Sequence, residues 1–216
     1  MIADDALLDA LDPALLQDAM QRVAGGRPHC GVGTRLKPMG HVATITGFAS
    51  TMRLTHVGRQ NGDGRRRVMS CYDELRPGSV LMLQVDGDPG GGVIGDLVAH
   101  RLSRIGVLGA VVDGPVRDVG GILARGFLTW AREATLRGMN ADELRVEVGG
   151  DVEVDGIVVG EGDLVSAGRD GICVVRAGSV DPVLAAARQL VDEEREAHQR
   201  IGNGQTILQA YPNIRA

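Results

Sequence analysis

Six residues, Gly87-Asp88-Pro89-Gly90-Gly91-Gly92, constrain this chain more than any other segment. Four are glycine and one is proline, so no regular element is expected to run through them. The flanking segments are strongly patterned. Ser79 to Val85 (SVLMLQV) is a nearly continuous apolar run, which predicts a strand buried on both faces. From Ile94 to Ile105, Leu97, Val98, Leu102 and Ile105 repeat at helical spacing, with His100, Arg101 and Arg104 between them. That pattern predicts an amphipathic helix entered through glycines. Val107 to Val112 predicts a short buried strand, Asp113-Gly114-Pro115 a turn, and Val116 to Leu123 the start of another helix. Strand, glycine loop, helix, strand is a βαβ unit, with parallel strands and a right-handed crossover.

The rest of the chain is arranged around that unit. Asp12-Pro13 is an N-cap and N1 pair, and Leu15, Leu16, Ala19, Met20 and Val23 follow on one helical face until Gly25-Gly26 stops it. The segment to about residue 40, with Pro28, Gly31, Gly33, Pro38 and Gly40, reads as loop. Val42 to Thr46 predicts a strand, with another near Met52 to Leu54, and Arg76-Pro77-Gly78 a turn. After residue 143 four short Val-rich strands follow: Arg145 to Val148, Val152 to Val159, Asp163 to Ser166 and Ile172 to Val175. Asp181 to Arg200 predicts a final helix, with Val183, Leu184, Ala187, Leu190 and Val191 among its apolar positions. With no internal repeat and no linker, residues 1–216 read as a single domain, and 201–216 as an arm that packs on another subunit.

Composition excludes several functions. Two Phe, two Tyr and one Trp supply few stacking platforms for single-stranded nucleic acid, and a net charge of −5 disfavours phosphate backbones. The local exception, Arg65-Arg66-Arg67 beside Asn61-Gly62-Asp63-Gly64, reads as a solvated hairpin tip. Cys30, Cys71 and Cys173 lie far apart and are odd in number, which suits isolated thiols of a cytoplasmic protein. No apolar run approaches a membrane span.

The βαβ unit also gathers chemistry. The first N–H groups of a helix lack internal partners and sit at the positive end of its dipole, so a carboxylate or phosphate binds there. Asp96 falls in that first turn. In a parallel unit the loop after the second strand, Asp113 to Asp118, faces the glycine loop and brings Arg117 and Asp118 to Asp96. Arg117 can grip a carboxylate through two parallel hydrogen bonds. Asp96 and Asp118 are hard oxygen ligands, which suit Mg²⁺ or Mn²⁺ in the absence of a His or Cys cluster. A divalent ion chelated by a 2-oxo acid stabilises the enolate left when a C–C bond breaks.

The spacing has a family counterpart. Asp96, then twenty residues, then Arg117-Asp118 resembles the signature of the RraA-like aldolases. The surrounding text is similar as well: GGVIGDL at 91–97, RIGVLGAVVDGPVRD at 104–118, PGSVLMLQVDG at 77–87, GDLVSAGRDGICVV at 162–175, and the Asp18-Ala19-Met20 step. The resemblance implies an α/β/β sandwich of swivelling-domain type, assembled as a homotrimer or homohexamer with its site at a subunit interface. It implies a metal-dependent lyase, acting on a 2-oxo acid such as 4-hydroxy-4-methyl-2-oxoglutarate or oxaloacetate. Arg117 would bind the substrate carboxylate, Asp118 would hold the metal, and Asp96 would orient a water that carries a proton. Backbone amides from Gly92 through Gly95 to Leu97 would cradle the pyruvate end. A Glu from a neighbour's C-terminal helix would complete the metal's water shell, with Glu193, Glu194 and Glu196 as candidates. Other members of the family regulate a ribonuclease without catalysis, and the same apparatus also suits an isomerase or hydratase; the intact acidic trio favours an enzyme. The chain departs from the family pattern at Leu128 to Glu133, where Glu133 replaces a glycine in an expected loop near the site. It departs again around Gly168, where an acidic residue is missing. His41, His56 and His100 have no expected role.

Overall fold

The structure, a computed structural model, describes residues 5–25, 35–40, 43–60 and 63–211. In chain order the elements are α1 (Asp5–Ala10), α2 (Pro13–Ala24), β1 (Lys37–Pro38), β2 (Ile45–His56), α3 (Gly64–Asp73), β3 (Ser79–Asp86) and α4 (Asp96–Arg104). They continue with β4 (Gly109–Val116), α5 (Val119–Ala124), β5 (Leu128–Ala134), β6 (Leu144–Val148), β7 (Val152–Val154) and β8 (Ile157–Val159). The chain ends with β9 (Leu164–Ala167), β10 (Ile172–Val175), α6 (Val180–Gly202) and α7 (Ile207–Ala210).

The expected βαβ unit is the centre of the molecule. β2, β3, β4 and β5 pair in parallel, and the sheet runs β1-β5-β4-β3-β2-β9-β10. The free edge of β2 is shared: its first residues pair with β9 and its last with β6, both antiparallel. The apolar run of β3 is explained by burial on both faces. Leu81 and Leu83 join one core cluster with Ala110, Val112, Ile94 and Ile122, under α3, α4 and α5. Val80 and Met82 join another with Val111 and Trp130, under the β7–β8 hairpin. Alternate residues of one strand thus feed opposite layers, as a pleat of period two requires. A third cluster joins α1, α2 and α6 around β9 and β10, through Leu15, Leu16, Ala19, Val183, Leu184 and Ala187.

The predicted helix starts are accurate at α2. The Asp12 side chain accepts from the Leu15 amide at 2.8 Å, Pro13 is the first helical residue, and Gly25 closes the helix at φ 65°. Val23, placed on the apolar face by spacing, is exposed. Several expectations are corrected. Asp113-Gly114-Pro115 is no turn: β4 runs through it to Val116, pairing Pro115 with Glu133 and Val116 with Ala134. The register shifts between Val112 and Pro115, and such an irregularity admits a proline that cannot donate to the ladder. Arg65, Arg66 and Arg67 are solvated but form the first turn of α3, not a hairpin tip. The two strands expected near residues 42–46 and 52–54 are one, β2. β1 interrupts the expected loop before residue 40. Glu133 lies in β5, not in a loop. Cys71 is a free thiol, as expected; Cys30 and His41 lie outside the described residues. Residues 201–211 finish α6 and form α7, which packs back on it; residues 212–216 of the predicted arm lie outside the described residues. Among the described residues, no helix is long and apolar enough to cross a membrane.

Candidate functional site

The glycine segment behaves as an additional short strand laid against the end of β4. The Val93 amide donates to the Pro115 carbonyl at 3.0 Å, and the Arg117 amide to the Ile94 carbonyl at 2.9 Å. On its other side the Gly92 amide donates to the Arg137 carbonyl at 2.9 Å. This pairing requires a residue with no side chain. A Cβ on Gly92 would stand 2.6 Å from the Arg117 nitrogen. From the other face of the segment, the buried Tyr72 hydroxyl of α3 donates to the Val93 carbonyl at 3.0 Å, and burial holds that phenol far above its ordinary pKa. Tyr72 was not among the sequence candidates; its spacing of four from Val68 marks it as core and gives no sign that its hydroxyl holds the glycine segment.

α4 then starts at Asp96 with Gly95 as its N-cap, and no side chain caps it. The first-turn amides, including those of Asp96 and Leu97, therefore remain available to an anion. Gly95 lies directly under the Arg117-Asp118 pair: a Cβ there would meet Asp118 Oδ2 at 3.0 Å and Arg117 Cγ at 3.2 Å. Leu97 is 81% exposed at this turn. Gly92, Gly95, Asp96, Leu97, Arg117 and Asp118 thus fall in one neighbourhood, as the parallel unit demands.

The pairing inside that neighbourhood differs from the simplest expectation. Arg117 donates from Nε to Asp118 Oδ2 at 2.9 Å, with a longer contact from Nη2 to Oδ1 at 3.4 Å. Asp118 caps α5 in the left-handed region, at φ 53°, with its side chain turned to Arg117 and not back to the helix. A non-glycine residue in that region is uncommon, and such conformations concentrate at functional sites. Asp96 does not pair with Arg117. It accepts from Arg125 Nε at 3.1 Å, and that hydrogen bond, with the nearby charge, holds its carboxyl below the ordinary value. Arg125 follows α5 directly and was missed by sequence reasoning, because the phase of so short a helix cannot be read from six residues.

The donor set is made of carboxylates alone. Both carboxylates are partly exposed, at 44% for the Asp118 side chain and 30% for Asp96, and each offers only oxygen. Among the described residues no group of three His, Cys, Asp or Glu could hold a metal ion. The described residues therefore supply a carboxylate or two here, which fits a hard ion that keeps most of its water and does not fit zinc. Of the C-terminal glutamates, Glu193 receives both terminal nitrogens of Arg22 at 2.9 Å, and Glu196 pairs with Arg200 at 3.0 Å. The Glu194 side chain makes no hydrogen bond among the described residues; the residue is half-buried, and desolvation raises its carboxyl above the ordinary value.

A family model described as RraA-like, Aldolase/RraA, matches residues 8–174. The chain belongs to that family. A protein of Halalkalibacterium halodurans, provisionally named a 4-hydroxy-4-methyl-2-oxoglutarate aldolase, is 24% identical over 176 residues, covering 82% of this chain and 80% of that protein. A solved structure of an uncharacterised protein from Pseudomonas syringae pv. tomato superposes with a TM-score of 0.76 at 24% identity, covering 97% of this chain and 94% of the other. RraAS2 of Streptomyces coelicolor, described as an unusual member of the RNase ES inhibitor RraA family, superposes with a TM-score of 0.72 at 24% identity, covering 91% and 96%. These structural likenesses show that the RraA-like fold is shared.

Proposed function

We propose that this RraA-like protein is a divalent-metal-dependent lyase that cleaves a C–C bond of a 2-oxo acid through a pyruvate enolate. The observation that supports it best is the convergence of Gly95, Arg117 and Asp118 on the uncapped N-terminus of α4. In the described state, Asp118 occupies the Nε edge of the Arg117 guanidinium and stands in for the carboxylate of a substrate. A 2-oxo acid would take that edge, with the first-turn amides of α4 at its pyruvate end. Asp118 would be the protein ligand of Mg²⁺ or Mn²⁺, and the bound ion would draw charge from the keto oxygen as the enolate develops. Asp96, ionised beside Arg125, would orient the water that takes the proton from the C4 hydroxyl and returns one to C3. The electrons of the C3–C4 bond pass to the C2 keto group, and a carbonyl product leaves. In oxaloacetate the same bond breaks with release of carbon dioxide.

The protein would work as a cytoplasmic homotrimer or homohexamer, with a glutamate of the neighbouring subunit near the metal's water shell. The engagement of Glu193 and Glu196 within the chain favours Glu194 for that place. The test is pyruvate release from 4-hydroxy-4-methyl-2-oxoglutarate and from oxaloacetate, with Mg²⁺ and with a chelator. The expected result is turnover that depends on the metal. Folded, Mg²⁺-loaded protein that released no pyruvate from either would overturn the reading.

A further inference from the structure

Arg125 supports an assignment that rests on the lyase reading and goes beyond it. The bland account is a surface ion pair joining the start of α4 to the end of α5. Exposed pairs of that kind contribute about 0–1 kcal/mol. Three observations point further. First, Asp96 is pressed against the backbone of α5: a Cβ on Gly121 would lie 2.8 Å from its Cβ and 2.9 Å from its Cγ. The carboxylate is thus already confined on that side, one helical turn before Arg125. Second, Arg125 spends only Nε on Asp96; its two terminal nitrogens have no partner among the described residues, and the side chain is 41% exposed. An edge of a planar guanidinium therefore stays open to solvent beside the site. Third, Arg117 and Arg125 place two guanidinium groups at one helix start, each paired with a single carboxylate, Asp118 and Asp96, so the site carries two cationic forks, one for each carboxylate of a dianion.

We propose that Arg125 is a specificity-determining residue, whose free guanidinium edge receives a second carboxylate carried at C4 of the substrate. Arg117 takes the carboxylate next to the keto group; Arg125 takes the one that leaves with the carbonyl product. Its hydrogen bond to Asp96 fixes the direction of that edge.

The experiment compares wild type, Arg125→Met and Arg125→Lys in the presence of Mg²⁺. Two quantities are measured: steady-state turnover of 4-hydroxy-4-methyl-2-oxoglutarate, a dianion, and inhibition by pyruvate, a monoanion. Circular dichroism confirms that the variants are folded. Expected for Arg125→Met is a KM for the dianion raised about tenfold, with the pyruvate inhibition constant within about twofold of wild type. Arg125→Lys should recover part of the KM, because one charge remains but the planar edge is lost. If KM is unchanged and kcat alone falls, Arg125 acts only through Asp96, and the assignment is wrong. If dianion and pyruvate weaken together, it is wrong as well. A wild-type chain that releases no pyruvate overturns the lyase reading itself, and this assignment with it.

Discussion

Arg117 and Asp118 are adjacent in sequence and bonded to each other in the fold, so an ion pair alone could account for both. The geometry around them argues for more. Gly95 gives up its side chain to make room for the pair, and Asp118 takes up a left-handed backbone conformation. Arg117→Ala removes a 39%-exposed side chain, so folding stability should shift by only about 0.5 kcal/mol. Pyruvate release, by contrast, should disappear. A thermal melt and a pyruvate assay on the same preparation check both halves; a variant retaining full turnover would show that the carboxylate clamp lies elsewhere. At this scale the sequence was informative for Asp96, Arg117 and Asp118, since a parallel unit puts the two segments side by side. It was silent on Arg125 and Tyr72, whose directions depend on how α5 and α3 dock. The departures at Trp130 and Gly168 also read differently in three dimensions. The Trp130 indole donates to the Gly168 carbonyl at 3.0 Å, inside the layer under the β7–β8 hairpin. These two changes are partners in a core on the opposite sheet face from α4 and α5.

Elements position the site through a few directed contacts. Its glycines carry no side chains, so the glycine segment is held by the buried Val93 and Ile94 that follow them and by backbone bonds to β4, residue 137 and Tyr72. Tyr72→Phe keeps the buried ring but removes the donor to the Val93 carbonyl. The expected cost is about 1 kcal/mol of stability, with a weakened hold on pyruvate, because the amides of the α4 turn follow this segment. Denaturant unfolding and the pyruvate inhibition constant measure the two effects. A second element contact carries a pH dependence. Arg22 of α2 holds the Glu193 carboxyl of α6 below its ordinary value. A depressed carboxylate stabilises the fold above its unfolded pKa, and that stabilisation is lost as pH falls through the folded value. Both groups are well exposed, so the contribution is discounted to roughly 0.5 kcal/mol. Unfolding of Arg22→Ala should fall short of wild type near neutrality, with the gap closing as pH falls through the depressed pKa of Glu193. Equal stability across the range would mean the pair adds nothing. Elements were also where local signals misled. Asp113-Gly114-Pro115 has turn chemistry, yet pairing with β5 on one side and with the glycine segment on the other carries the strand through it. Long-range pairing outweighed the local preference, and no single-chain window records that.

At the scale of the whole molecule, the site and the C-terminal glutamates belong to different layers. α4 and α5 cover one sheet face, whereas α6 packs on α2 around β9 and β10. Glu194 lies in an apolar groove of about 380 Å³, with Ala197, His198, Ile201, Ile207 and Tyr211. Leu97 at the site is 81% exposed and Leu136, in the loop beside it, is 99% exposed. Covering each of these solvated leucines would contribute about 2 kcal/mol. These features are the ones expected if a neighbouring chain closes over the site. A site shared between subunits would have a consequence that a self-contained site lacks. Arg117→Ala and Glu194→Ala should each be inactive alone. In a ring with heterologous contacts, each site would take Arg117 from one subunit and Glu194 from the next. Unfolding and co-refolding an equal mixture should then restore about a quarter of wild-type turnover, since both sides of a site are intact with probability one half each. Light scattering should show the same assembly in both variants and in the mixture. A mixture as inactive as its parts, with hybrids demonstrated, would place the whole site within one chain. A fully active Glu194→Ala assembly would remove Glu194 from the site and leave Arg117 where it is.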